Sequence, residues 1–146
     1  MNKEHLTQLG APILEQSVGG VLREKLHGLQ LMIKKLDQLD KQDSVYLLRY
    51  CFAIPKLMYM LRTALCYQQK EVLQEYDLEI REGLEGILNT KLKGRSWQQC
   101  VLPMRKGGMG IRSAADLSLP AFLSSANANV AGFENLLPDE MVCQIY

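Results

Sequence analysis

The sequence predicts an all-α fold: a helical bundle of three main helices, followed by short C-terminal helices. The first observation behind this prediction is that apolar residues recur at spacings of three and four through residues 17–90, as they do along one face of a helix. The second is that the alternating pattern of a strand is almost absent. With 146 residues, 47% of them hydrophobic and 23% charged, the chain is long enough for one domain whose core needs no disulfide or metal.

Residues 1–16 differ from the rest of the chain because Gly10 and Pro12 interrupt any helical period. We expect a short extended segment or edge strand here, since proline is tolerated at a sheet edge but not in a central strand. No second strand is evident nearby to pair with it. The segment is therefore interpreted as one edge of a larger structure.

The first two helices are predicted between Ser17 and residue 65. The inward stripe of the first helix is formed by Leu22, Leu26, Leu29, Ile33 and Leu36. Residues 39–44 are predicted to form a turn that leads to a new N-cap. A second helix, from about Val45 to Ala53, then meets Pro55, where either the helix kinks or a new helix begins with the proline in its first turn. Residues 45–65 are apolar on more than one face and are expected to be the most buried element.

The third helix is predicted from about Lys70 to Leu88. Its inward residues are Leu73, Tyr76, Ile80, Leu84 and Ile87, and its outer face is acidic, with Glu71, Glu75, Asp77, Glu79, Glu82 and Glu85. A metal site or general base is not expected on that face, because Asp77 and Glu79 do not share one side of the helix. We expect the acidic face to be solvated.

The C-terminal region, residues 91–146, is expected to pack on the same domain. A capping box from Ser96 to Gln99 predicts the start of a short helix. A second capping signature at Ser113 precedes a helix expected from Pro120 to about Val130, and residues 138–140 are expected to start a last short turn. Between the two caps, a loop with positive φ or a close backbone approach is predicted by Gly107, Gly108 and Gly110.

No motif for catalysis, a metal or a cofactor is recognisable in the sequence. His5 and His27 lie near no cysteine or serine in a nucleophile motif. Zinc-site spacing is absent among the cysteines, which are Cys51, Cys66, Cys100 and Cys143. The glycine run at 107–110 lacks the Gly-Lys-Ser/Thr ending of a P-loop. We therefore expect no catalytic residue, no metal and no cofactor.

No membrane span is expected either, because the longest uncharged stretch, residues 117–133, is interrupted by Pro120 and by several serines and asparagines. The N-terminus has no apolar region typical of a signal peptide. The cysteines are expected to be buried thiols in a reducing compartment, so the predicted location is intracellular, either cytoplasmic or nuclear.

The strongest functional signal from the residues themselves is a reversal of charge after the third helix. Between Gly86 and Ala115 there is no acidic residue, whereas six cations occur: Lys91, Lys93, Arg95, Arg105, Lys106 and Arg112. Such a segment is typical of a groove that neutralises backbone phosphates, with Trp97 as a stacking surface. The alternative is a solvated surface whose charge balances the acidic third helix. The residues alone favour neither interpretation.

A resemblance to a known family adds to this signal. Leu-Pro-Met-Arg-Lys-Gly-Gly-Met-Gly-Ile-Arg-Ser-Ala at 102–114, followed by Ala-Phe-Leu-Ser-Ser-Ala at 121–126, resembles a segment downstream of the polymerase core in reverse transcriptases of non-LTR retrotransposons. Those proteins have leucine in place of Met109 and Ile111, and usually alanine in place of Ser124. Residues 9–13 resemble the strand where their palm ends and their thumb begins. Residues 49–51, 55–57 and 61–63 resemble the helical region between, so the resemblance covers about residues 9–126.

The resemblance implies that the chain is the thumb and C-terminal region of a reverse transcriptase, an RNA-directed DNA polymerase. Residues 1–16 would then be the end of the palm, 17–90 the thumb-like bundle, and 91–146 the basic glycine-containing loop with the C-terminal helices. The implied partner is an RNA–DNA or DNA duplex, gripped through its backbone by the six cations. In that family the magnesium-binding aspartates lie upstream of the strand at 9–13, and no Asp-Asp pair occurs here. The chain is therefore expected not to be an enzyme on its own.

Two other hypotheses stay open. The first is a helical protein–protein interaction domain derived from a retroelement, in which the exposed part of residues 45–65 docks a partner helix or the missing palm. The second is that the chain is one piece of an intact polymerase, so that polymerisation takes place but is not carried by these residues.

Overall fold

The computed structural model describes residues 7–8, 11–12 and 14–134. Within these residues the chain is almost entirely helical, which confirms the all-α prediction. The helices are α1 Val18–Leu36, α2 Lys41–Leu47, α3 Ile54–Thr63, α4 Lys70–Leu88, α5 Gly94–Val101 and α6 Ala114–Glu134. Helix α1 packs along α4, and α3 packs along α6, which also contacts α4. His5, Cys143 and the turn expected at 138–140 lie outside the described residues.

The N-terminal segment contains two strands of two residues each, β1 (Thr7–Gln8) and β2 (Ala11–Pro12). They pair antiparallel, with Thr7 opposite Pro12 and Gln8 opposite Ala11. The expected extended conformation is confirmed, but the partner strand lies within the segment itself. Strand β2 is buried against α1 and α3, so the hairpin is attached to the helical bundle.

Helix α2 begins earlier than the sequence predicts. Its first residue is Lys41, and Asp40 is its N-cap, so the turn expected over 39–44 is too long. Ser44 is buried inside the helix, and its Oγ donates a hydrogen bond to the carbonyl oxygen of Leu36 at 2.7 Å. The Leu36 carbonyl also accepts from the Leu39 N–H at 3.1 Å, so the hydroxyl adds a second hydrogen bond at the end of α1 instead of capping its own helix.

The region around Pro55 is a break between two helices, not a kink in one. Helix α2 continues as a π-helical turn over Leu48–Phe52, the backbone changes direction at Ala53, and α3 then begins with Pro55 in its first turn. Proline fits there because the first helical N–H groups have no intrahelical acceptor. The expected burial is confirmed for the inner side of residues 45–65, where the buried residues are Leu48, Ala53, Ile54, Leu57, Met60, Leu61 and Ala64.

Helix α4 begins and ends where the sequence predicts, and its predicted inward residues are all buried: Leu73, Tyr76, Ile80, Leu84 and Ile87. Together with the inner faces of α1 and α3 they form one apolar core. Cys66 and Cys100 belong to this core, as expected of small apolar side chains. Cys51 does not, because it is exposed on the π turn.

Two helix starts near the C-terminus differ from the prediction. Helix α5 begins at Gly94 with Lys93 as its N-cap, so Ser96 lies inside the helix and forms no capping box. Helix α6 begins at Ala114, directly after the predicted cap Ser113, and Pro120 lies inside it. The hydroxyl of Ser113 accepts a hydrogen bond from the Asp116 N–H at 3.1 Å, so this cap starts the helix before the proline is reached.

Candidate nucleic-acid interface

The link between α4 and α5 carries the first two cations of the basic segment. Helix α4 is followed by the C-cap Asn89, whose left-handed backbone (φ 51°) allows the Thr90 N–H to donate to the Glu85 carbonyl at 3.1 Å. Lys91 and Lys93 follow, and both are exposed. The charge reversal in the sequence therefore coincides with the end of the acidic helix.

Glu85 fixes this link to α4 and neutralises one of its cations. Its Oε2 accepts a hydrogen bond from Lys91 Nζ at 3.1 Å, and its Oε1 accepts from the Leu92 N–H at 2.9 Å and from Arg81 at 3.3 Å. These bonds lower the pKa of the Glu85 carboxyl, the bond from Lys91 having the largest effect. Of the six cations, Lys91 is therefore the one whose charge is balanced by a described carboxylate of the acidic helix α4.

The other five cations form no ion pair with any described carboxylate. Lys93, Arg95, Arg105, Lys106 and Arg112 are all exposed. Lys93 lies on the link and Arg95 in the first turn of α5, whereas Arg105 and Lys106 lie in the 3-10 turn Met104–Lys106. Arg112 comes just before α6. Five accessible positive charges are therefore available to an anionic partner.

Trp97 is placed differently from the expectation of an open stacking surface. It is half-buried and packs against the core, and the guanidinium of Arg81 lies 5.9 Å from the centroid of its ring. Arg81 also donates to the carbonyl oxygen of Leu92. The indole therefore contributes mainly to the attachment of α5 to α4.

The glycine loop has the backbone features that the sequence predicts. Gly107 and Gly110 have positive φ angles of 76° and 68°. A Cβ on Gly108 would collide with the carbonyl oxygen of Leu102 and lie 2.6 Å from that of Gln99. Gln99 is not a helix-capping residue here: its Nε2 donates to the Gly107 carbonyl at 2.8 Å. The loop therefore folds back on α5 and holds Arg105 and Lys106 outward.

The loop also packs against the π turn through Arg49. A Cβ on Gly110 would lie 2.7 Å from an Arg49 guanidinium nitrogen, and the φ of 68° also favours glycine at this position. Arg49 Nη1 donates to the Met104 sulfur at 2.6 Å, and its guanidinium lies 4.4 Å from the Tyr50 ring centroid. The segments at 49–51 and 102–114 are thus neighbours in space.

A pocket of about 410 Å³ lies between the π turn and this loop. Two arginines, Arg49 and Arg112, line it together with an apolar wall that includes Ile54, Pro55 and Met58. None of its lining residues is acidic, and neither arginine is paired with a described carboxylate. We refer to it as the two-arginine pocket.

Asp77 fixes the position of the chain directly after Arg112. Its carboxylate accepts hydrogen bonds from Ser113 Oγ and the Ala114 N–H, both at 2.6 Å, and from the Ala115 N–H at 3.2 Å. It therefore caps the N-terminus of α6 from the neighbouring helix. The expected solvated acidic face is wrong at this position. Burial raises the pKa of Asp77, although these hydrogen bonds act in the opposite direction.

The sequence prediction missed Arg49, Tyr46 and Tyr50 as site residues. Tyr46 and Tyr50 are 60% and 48% exposed, and their ring centroids are 4.7 Å apart. A spacing of four with an arginine beside the second tyrosine is a weak signal, since such residues usually belong to a solvated helix face. The contact with the glycine loop, 55 residues later in the chain, cannot be read from that spacing.

Among the residues described, no group of three His, Cys, Asp or Glu side chains is placed to hold a metal ion. His27 is exposed on α1. None of the described helices is both long and apolar enough to cross a membrane. In comparisons with known proteins, no family model, no curated protein and no solved structure matches this chain.

Proposed function

We propose that the chain is a reverse-transcriptase-like protein of retroelement origin, whose thumb-like region grips duplex nucleic acid through its backbone. The observation that carries the proposal is the set of five exposed cations without a described ion-pair partner, Lys93, Arg95, Arg105, Lys106 and Arg112. A cation that contacts a phosphate releases counterions from the nucleic acid, which favours binding. Cations without an internal ion pair contribute most, because they break no ion pair when they bind. The partner is an RNA–DNA or DNA duplex, contacted without sequence readout.

The architecture supports this role in two ways. Four of the five cations lie on the link, the 3-10 turn or the loop next to residues with positive φ, and Arg95 lies in the first turn of α5, so that all five charges are exposed. Glu85, Arg81 and Asp77 fix the ends of the basic segment to α4. A basic surface on a fixed scaffold loses little conformational entropy when it binds.

In this proposal the chain carries no polymerase chemistry of its own and acts in an intracellular compartment that holds the nucleic acid. The aspartates that hold magnesium in such polymerases would belong to a palm, which the resemblance puts upstream of the strand at 9–13.

The proposal is tested by replacing two adjacent cations of the loop, Arg105→Ala and Lys106→Ala together. We expect weaker binding to an RNA–DNA hybrid and a plot of log affinity against log salt that is shallower by about 1 to 2, because each phosphate contact contributes about 0.9. The matched control is the double variant Lys34→Ala and Lys35→Ala, which removes two adjacent exposed lysines from the last turn of α1. If both double variants change the slope equally, or if neither does, the basic segment is not the contact.

The second candidate function is a protein–protein interaction domain, in which the exposed part of residues 45–65 docks a partner helix or a polymerase palm. The observation in its favour is that three large side chains of this region, Tyr46, Tyr50 and Tyr59, are 43–60% exposed. A docking surface of this kind binds with little dependence on salt, whereas a backbone grip weakens steeply as salt increases. The salt dependence therefore separates the two functions.

A further inference from the structure

We propose that the two-arginine pocket receives one unpaired nucleotide at the end of the bound duplex. The phosphate lies against the guanidinium groups of Arg49 and Arg112, and the base lies against the apolar wall formed by Ile54, Pro55 and Met58. This inference rests on the proposed function and deepens it, because it names a subsite for a single-stranded end in addition to the backbone grip.

The charges of the pocket point to an anion. Arg49 and Arg112 line it, no acidic residue does, and neither guanidinium pairs with a described carboxylate. The hydrogen bond from Arg49 goes to the sulfur of Met104, a weak acceptor that leaves the positive charge uncompensated. Guanidinium groups without a carboxylate partner can each donate two parallel hydrogen bonds to phosphate oxygens.

The apolar wall points to a nucleotide and not to phosphate alone. Ile54 is buried and Met58 is half-buried, and with Pro55 they line a pocket of about 410 Å³, a volume within the range of sites for small organic ligands. The exposed Tyr50 ring lies at its edge with Arg49 against it, which is the pairing of aromatic and cation on which unpaired bases stack. A ligand with one phosphate and one flat base contacts both the two arginines and the apolar wall.

The position of the pocket supports an end of the duplex as the source of that nucleotide. Met104, which contacts Arg49, directly precedes Arg105 and Lys106, the cations assigned to the backbone grip. A base inside a duplex is stacked and paired, so a pocket of this size is accessible at lower cost to a nucleotide that is already unpaired.

The test compares a blunt RNA–DNA hybrid with the same hybrid carrying a two-nucleotide overhang, by fluorescence anisotropy with the full chain. We expect the overhang to improve affinity roughly fivefold or more, and an abasic overhang to lose most of that gain. A free nucleoside monophosphate in excess should reduce the gain without releasing the blunt hybrid.

Two variants locate the effect in the pocket. Arg112→Ala removes an exposed charge, and Met58→Trp fills the pocket without a change of charge. Both should abolish the preference for the overhang, whereas Arg23→Ala, an exposed cation on α1 that does not line the pocket, should keep it. Circular dichroism and a melting curve check that each variant is folded. If Met58→Trp does not fold, Arg112→Ala alone tests whether the pocket carries the preference for the overhang.

The outcomes separate this inference from the proposed function. Equal affinity for blunt and overhanging hybrids, or a preference that survives in Arg112→Ala, overturns the nucleotide pocket while leaving the backbone grip intact. Binding of the overhang through Arg112 with no binding of the blunt hybrid overturns the duplex grip and retains the pocket. Absence of binding to either nucleic acid overturns both.

Discussion

At the scale of single residues, a few polar side chains determine how the basic segment and the helices around it are held. Glu85 fixes the α4–α5 link, Asp77 caps α6, and Tyr76 supports the break before α3. The hydroxyl of Tyr76 donates to the carbonyl oxygen of Ala53 at 3.1 Å, and both residues are buried. The contacts of Asp77 and Tyr76 join segments distant in sequence, whereas Glu85 bonds the link that directly follows its own helix. Each of the three side chains bonds a backbone group outside the regular hydrogen bonds of a helix.

Tyr76→Phe removes the hydrogen bond to Ala53 and keeps the packing of the ring. We expect the free energy of unfolding to fall by about 1 to 2 kcal/mol, because the buried carbonyl loses its partner. Urea denaturation measures the change, and Tyr59→Phe, which alters an exposed tyrosine, should stay within about 0.5 kcal/mol of the parent. An equal loss in both variants would show that the bond to Ala53 contributes nothing specific.

Glu85 makes stability depend on pH in a defined direction. Its pKa is lower in the folded chain, chiefly through the hydrogen bond from Lys91, so it contributes stability above its unfolded value of about 4.3. That contribution is lost as pH falls through the lower folded value. Between about pH 5 and pH 3, Glu85→Gln should therefore lose less stability than the parent chain.

Thermal unfolding at several pH values measures this difference. The control is Glu82→Gln, which removes a carboxylate from the exposed side of the same helix. Parallel stability curves for the parent and Glu85→Gln would contradict the assigned role of Glu85.

At the scale of elements, the contact between α1 and α4 depends on one small residue. A Cβ on Gly83 would lie 2.7 Å from Ile33 Cδ1 and 3.0 Å from two further atoms of that side chain. Glycine therefore lets the two helices approach closely. Gly86, one turn later on α4, has no neighbour within 4 Å of such a Cβ. Gly83 is thus needed for the close helix contact, whereas the structure has room for a side chain at Gly86.

Gly83→Ala should lower the free energy of unfolding by about 1 to 3 kcal/mol, because the added methyl group overpacks the contact with Ile33. Gly86→Ala should leave stability unchanged or raise it by up to about 1 kcal/mol, since alanine favours the helical backbone. Chemical denaturation of both variants checks the pair. Destabilisation by Gly86→Ala as large as that by Gly83→Ala would contradict the packing argument.

The elements also show what the sequence can predict. Apolar spacing predicts the bounds of α4 and the inner face of α1, because residues at spacings of three and four lie on one side of a helix and that side packs against the core. Helix starts were predicted less well. Ser44 and Ser96 resemble N-caps, yet one hydroxyl bonds the preceding helix and the other lies inside α5. A local motif cannot show that tertiary contacts supply the cap elsewhere, as Asp77 does for α6.

At the scale of the whole molecule, the basic segment and the acidic helix are only partly balanced. Lys91 pairs with Glu85, whereas the other five cations of the segment pair with no described carboxylate. The sequence predicted these cations but not the two-arginine pocket, because Arg49 and Arg112 are 63 residues apart in the chain and meet only through the fold. Because the formal net charge is only +1, the proposed interaction depends on where the charges lie and not on their total.

The most direct test of this account is the binding of the full chain to a fluorescent RNA–DNA hybrid, measured by anisotropy at about 50 and 200 mM salt. If the basic segment grips the backbone, the hybrid binds with micromolar or tighter affinity at the lower concentration and at least about tenfold more weakly at the higher one. Binding that does not change with salt, or no binding at either concentration, would contradict the backbone grip and favour the protein-interaction domain.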